Sequence, residues 1–105
     1  MIELKQETRG AWLVVAVKGR ADAEAADQLE AALRAAVSQQ SKVAADFAAL
    51  DYISSAGLRA VLQAARAAQM AEVEFAVCGM SAPVKKVFDM SGMKHVLTIH
   101  GELPC

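Results

Sequence analysis

The densest chemistry in the sequence lies in nine consecutive residues, Asp51-Tyr52-Ile53-Ser54-Ser55-Ala56-Gly57-Leu58-Arg59. Two adjacent hydroxyls stand between an acid and a base, with a glycine two residues after the second. A serine in such a place can cap a helix, attack a carbonyl or accept a phosphate. On the residues alone capping is the simplest reading, with Gly57 helping the helix to pack. Attack on a carbonyl fits poorly, because a nucleophile elbow around Ser55 needs glycine at 53, where this chain has Ile53. No histidine lies near the serines in sequence, so a small serine hydrolase is a distant reading.

The other reactive residues form no comparable group. Asp22, Asp46 and Asp51 suggest carboxylates for acid–base work, yet Asp22 is at least as well read as a helix N-cap. His95 and His100 bracket a terminal apolar run, and no metal-ligand spacing joins them to Cys78. Cys78 and Cys105 make neither a disulfide framework nor a metal site, and read as one buried thiol and one terminal thiol. No glycine-rich phosphate loop is present. The residues call for no cofactor and no metal.

The elements that must position the serines follow from periodicity. Residues 2–8 and 11–18 read as strands around a turn at Arg9-Gly10. Trp12 to Val17 is nearly continuous in apolar residues, as in a strand covered on both faces, and Gly19 ends it. Asp22 reads as the N-cap of a helix to about Val37, with Ala26, Leu29, Leu33, Ala36 and Val37 inward. Val43–Phe47 is a short strand. A second helix starts at or just after Ser55, with Leu58, Val61, Leu62, Ala65 and Ala68 on one face. Glu72–Cys78 is a strand. A third helix starts near Ser81-Ala82-Pro83, turns Val84, Val87 and Phe88 inward and stops at Gly92. Residues 95–100 are a last strand. Met80, Met90 and Met93 read as adaptable packing around the third helix.

The order β-β-α-β-α-β-α-β predicts one α/β domain over residues 1–105, a mostly parallel sheet with helices packed against it. Its 105 residues and 55% hydrophobic content suffice for one core, although alanine inflates the figure and buries little area. A net charge of −1 with both signs mixed argues against nucleic-acid binding. No apolar run is long enough to cross a membrane, and Met1 to Glu7 lacks the features of a signal peptide, so a cytoplasmic location is expected. The serine pair should lie at the carboxyl edge of the sheet, where ligands commonly sit, with Gly57 leaving backbone open to a partner. A phosphate on a serine in the first helical turn would be electrostatically tolerated.

The segment Ile53-Ser54-Ser55-Ala56-Gly57-Leu58-Arg59, preceded by Asp51-Tyr52, resembles the signature of STAS-domain anti-sigma-factor antagonists. Gly19-Arg20-Ala21-Asp22 is similar to the family's glycine-x-x-aspartate, Asp46 matches the aspartate in the strand before the signature, and the element order is the family's. The resemblance covers nearly the whole chain. Ser55, two residues before the glycine, matches the phospho-acceptor, while Ser54 stands where many relatives carry aspartate. The resemblance implies a non-enzymatic switch that binds an anti-sigma factor, often also its serine kinase, when Ser55 is unmodified and leaves it when phosphorylated. A serine phosphatase would reset it, and ATP and magnesium would belong to the kinase. The implied partner surface comprises Asp22, Asp46, Ser54, Ser55, Gly57 and Arg59. An alternative is a STAS subunit of another assembly, such as a membrane transporter, in which Ser55 is never phosphorylated.

Overall fold

The computed structural model describes residues 2–91 and the backbone of residues 98–100. Among them the order is β1 (Ile2–Arg9), β2 (Trp12–Ala21), α1 (Ala26–Val37), β3 (Lys42–Ile53), α2 (Ser55–Met70), β4 (Glu74–Cys78), α3 (Ala82–Ser91) and β5 (Thr98–His100). Gly10, at φ +60°, makes the β1–β2 turn that the sequence suggests. Gly92, Met93, His95, Val96, Leu97 and Cys105, and the side chain of His100, lie outside the described residues.

The sheet runs β1-β2-β3-β4-β5, antiparallel between β1 and β2 and parallel thereafter. Because each crossover steps in the same direction, right-handed connections bring all three helices to one face. Leu13, Val15 and Val17 of β2 meet Leu29 and Leu33 of α1, Val61 of α2, and Val84 and Phe88 of α3 in a single core cluster. Phe88 lies against Phe47 of β3, ring centroids 6.0 Å apart. The alternate residues Val14, Ala44 and Cys78 form a smaller buried group on the other face, beside Trp12. β2 is therefore buried on both faces, as its unbroken apolar run suggests.

Four expectations change. First, β3 reaches Ile53 rather than stopping at Phe47, and β2 continues past Gly19 to pair with it through Ala21↔Ile53. Between Ala16 and Lys18, and again between Gly19 and Arg20, β3 takes one residue more than β2. Such bulges break the two-residue alternation, so Leu50 and Ile53 are both buried though three apart. Second, α1 starts at Ala26, with Ala25 at the N-cap position and no side-chain cap. Asp22 instead accepts the Ala25 N–H at 3.0 Å across a turn that precedes the helix. Third, α2 buries Gly57, Ala60 and Ala64 beside Leu58, Val61 and Ala68, whereas Leu62 and Ala65 are only half-buried. α2 is in contact with α1, and Ala56 and Ala60 line the groove between them. Fourth, β4 opens at Glu74 rather than Glu72, whose φ of +59° belongs to the turn after α2. Among the methionines, Met80 packs against the core as expected, but Met90 is 78% exposed because it falls on the outer side of α3.

Candidate functional site

β3 hands over to α2 with a single residue between them, Ser54, whose extended backbone (φ −88°, ψ 173°) is that of an N-cap. Its hydroxyl oxygen accepts the Gly57 N–H at 3.1 Å and donates to the Ala21 carbonyl oxygen at 3.0 Å. The Ser54 backbone N–H reaches the same carbonyl at 2.9 Å. One backbone oxygen at the end of β2 thus takes two hydrogen bonds from the residue that opens α2.

Gly57 makes this closeness possible. A Cβ there would lie 2.7 Å from the Ala21 carbonyl oxygen and 2.8 Å from Ile53 Cγ1, distances that real side chains do not occupy. The residue is buried. Its missing side chain therefore serves contact between helix start and strand end, the packing role that the sequence suggests, and not the approach of a partner to open backbone.

Ser55 follows as the first residue of α2 and is exposed. It makes no side-chain hydrogen bond among the described residues. It lines a shallow groove of ≈ 430 Å³ between α1 and α2, with Arg59 one helical turn on and Asp27 and Glu30 across from it. Arg59 is exposed, and Glu30 is paired with Arg34 at 3.1 Å.

The remaining sequence-selected residues divide. Asp22 directly follows Ala21 and is half-buried, so it borders the Ser54 junction. Asp51 is exposed near the end of β3. Asp46 is seven residues before Ile53 along extended β3, about 20 Å by strand rise. Its carboxylate accepts the Ala48 N–H at 3.0 Å and lies where a Cβ on Gly79 would come within 2.9 Å. The fold therefore gathers Asp22, Ser54, Ser55, Gly57 and Arg59, and leaves Asp46 elsewhere.

The junction also has a pair that sequence reasoning missed. Arg20 and Tyr52 are register partners on β2 and β3, and the guanidinium lies 4.4 Å from the tyrosine ring centroid. Tyr52 is 40% exposed. The two form a stacked platform beside Ile53 and Ser54. The signal existed in Arg20-Ala21-Asp22 and Asp51-Tyr52, but it becomes visible only once β2 is extended past Gly19. The described residues contain no cluster of acids, histidines or cysteines that could hold a metal, and no helix long and apolar enough to cross a membrane.

A mixed five-stranded sheet with its helices on one face, and an exposed serine opening the helix after the central strand, is the arrangement of a STAS domain. The family model of that domain matches residues 3–103, and the chain belongs to the STAS domain family. It is 36% identical over 88 residues to BtrV of Bordetella bronchiseptica, a protein that bears the name anti-sigma factor antagonist. The match covers 83% of this chain and 76% of that protein. The fold is similar to an anti-sigma factor antagonist from Mycobacterium paratuberculosis, with TM-score 0.83 and 20% identity over 98% of this chain and 88% of the other. It is also similar to the Bacillus cell fate determinant SpoIIAA in its phosphorylated form, with TM-score 0.69 and 24% identity over 97% and 93% of the two chains.

Proposed function

We propose that this protein is a cytoplasmic anti-sigma factor antagonist, with residues 1–105 acting as one STAS domain and phosphorylation of Ser55 setting its state. Unmodified, it binds an anti-sigma factor that is also a serine kinase. Phosphorylated, it lets that partner go until a serine phosphatase restores the hydroxyl. The chain supplies an acceptor and a surface, and the chemistry of transfer belongs to the kinase.

The observation that carries this reading is the division of labour between the two serines. The Ser54 hydroxyl is committed as both donor and acceptor, to Ala21 and Gly57. Modifying it would cost the α2 cap and the link to β2. Ser55, exposed and without such duties, can take a phosphate and leave the fold intact. The names of BtrV and the solved neighbours, and the existence of SpoIIAA in unphosphorylated and phosphorylated forms, support the same reading. The proposed contact surface centres on Ser55 and Arg59, with Asp22, Arg20 and Tyr52 at its border, while Ser54 and Gly57 shape it from beneath. Asp46 acts on the course of β3 rather than at the contact.

Phosphate adds roughly −1.5 to −2 charges near neutral pH. Burying the net negative charge that this leaves, against a docked partner that offers no cation of its own, would cost at least several kcal/mol. At about 1.4 kcal/mol per tenfold, affinity should fall about a hundredfold or more. The test is incubation with the cognate kinase and magnesium-ATP, peptide mass spectrometry, and titration of both forms against the kinase. One phosphate is expected at Ser55. It should vanish in Ser55→Ala and persist in Ser54→Ala, and the thermal midpoint should hold on modification. Modification mainly at Ser54, or equal affinity of the two forms, would defeat the proposal.

A further inference from the structure

We propose that Arg59 is the internal counter-ion of a phosphate on Ser55, so that modification adds an anion and also withdraws a cation from the surface. The inference rests on the Ser55 reading above and concerns how this particular chain receives the charge.

Ser55 and Arg59 are one helical turn apart, both exposed, and line the same groove. Side chains four apart on a helix have Cβ atoms about 5–6 Å from each other. Helical side chains also lean toward the N-terminus, so the long stem of Arg59 covers the turn that carries Ser55. The guanidinium fork matches three phosphate oxygens better than any single-point cation.

The neighbouring cations are less available. Arg34 is held by Glu30, and Arg20 is stacked on Tyr52. Arg66 is seven residues further along α2, about 10 Å by helical rise. Arg59 makes no ion pair or hydrogen bond among the described residues. The charged groups facing it across the groove are Asp27 and Glu30 of α1, and Glu30 already has its partner. A phosphate one turn away, with close to two charges, outcompetes the single carboxylate of Asp27 for the guanidinium.

The partner of the unmodified form would meet a free guanidinium beside a small hydroxyl, which suits a carboxylate on its own surface. After modification it would meet an occupied guanidinium and a dianion. Pairing offsets part of the phosphate charge, so the patch changes from about +1 to about −1, and a partner carboxylate that suited the first state is repelled by the second.

The experiment uses the full chain with phosphoserine placed at position 55 by translational incorporation, so that no kinase is needed. Phosphorus NMR follows the second ionisation of the phosphate with pH. In Arg59→Gln that pKa should rise by about 0.2–0.4 pH unit relative to the chain with Arg59, with Arg59→Lys between them. The difference should shrink in about 1 M salt. Any field from the helix itself is common to all three proteins and cancels. Melting of each unmodified variant checks that the exposed substitution leaves the fold alone. Equal pKa values in Arg59→Gln and its parent would overturn the proposal. A shifted pKa alongside a Ser55 that the kinase never modifies would uphold the counter-ion and discard the switch. Modification at Ser55 with equal pKa values would do the reverse.

Discussion

One glycine sits in the first turn of the helix after β3 and another directly follows β4, and they teach opposite lessons. At Gly57 the atoms that exclude a side chain are the Ala21 backbone oxygen and the Ile53 side chain, both part of the packed frame. At Gly79, where φ is +71°, they are the Asp46 carboxylate oxygen at 2.9 Å and the backbone of Ala48 at 3.2 Å. The first corner draws a helix start onto a strand end and turns the next hydroxyl outward. The second folds an acid back onto the bulged part of β3. Asp46 and Ser55 read in sequence as members of one surface, yet one holds the frame and the other is what the frame presents.

The largest way to break this comparison is Gly57→Val. A branched side chain would have to push Ala21 and Ile53 apart, losing both bonds from Ser54 to the Ala21 oxygen. Overpacking of this kind costs about 3 kcal/mol, and a lowered urea midpoint should report it. A wild-type midpoint would mean that helix start and strand end can separate freely.

Gly79→Ala should cost less, about 1–2 kcal/mol, mostly for holding a Cβ at positive φ. Part of the loss should return in Gly79→Ala with Asp46→Ala, because the carboxylate is then no longer in the way. Strict additivity in that double-mutant cycle would show that Asp46 and Gly79 are independent.

The smallest effects separate the serines. Ser54→Ala removes an N-cap and should cost about 1 kcal/mol, whereas Ser55→Ala should stay within about 0.5 kcal/mol of wild type. Equal losses would erase the distinction on which the assignment of the phospho-acceptor rests.

Much of the frame was legible because it obeys simple periods. The inner face of α1, from Ala26 through Leu29, Leu33 and Ala36 to Val37, reads directly from helical spacing. The alternation of strands and helices likewise predicts a largely parallel sheet. What was hidden depends on partners. The far half of β3 is a strand only because β2 runs on beside it, and its bulges put Leu50 and Ile53 out of alternation. Asp22 makes the bond of a cap, but an i to i+3 bond forms equally well in a turn, so it could not fix the start of α1. In α2 the small residues Gly57, Ala60 and Ala64 are buried while Leu62 is only half-buried, so side-chain size misled the reading of its inner face. At the site, the strand-to-helix position of Ser55 was legible. The tether on Ser54 was not, because its acceptor, Ala21, is 33 residues away in sequence.

The Arg20–Tyr52 stack has a practical consequence. The chain has one tyrosine and one tryptophan, and β2 keeps them apart. Trp12 starts that strand, and Tyr52 pairs with Arg20 near its far end. Eight residues of strand put about 26 Å between those positions. Tryptophan emission can therefore follow the integrity of the sheet while isotope-labelled tyrosine ring signals follow events beside Ser55. A docking partner should disturb the tyrosine resonances and leave the indole spectrum still, so the natural sequence already contains separate reporters for folding and for binding.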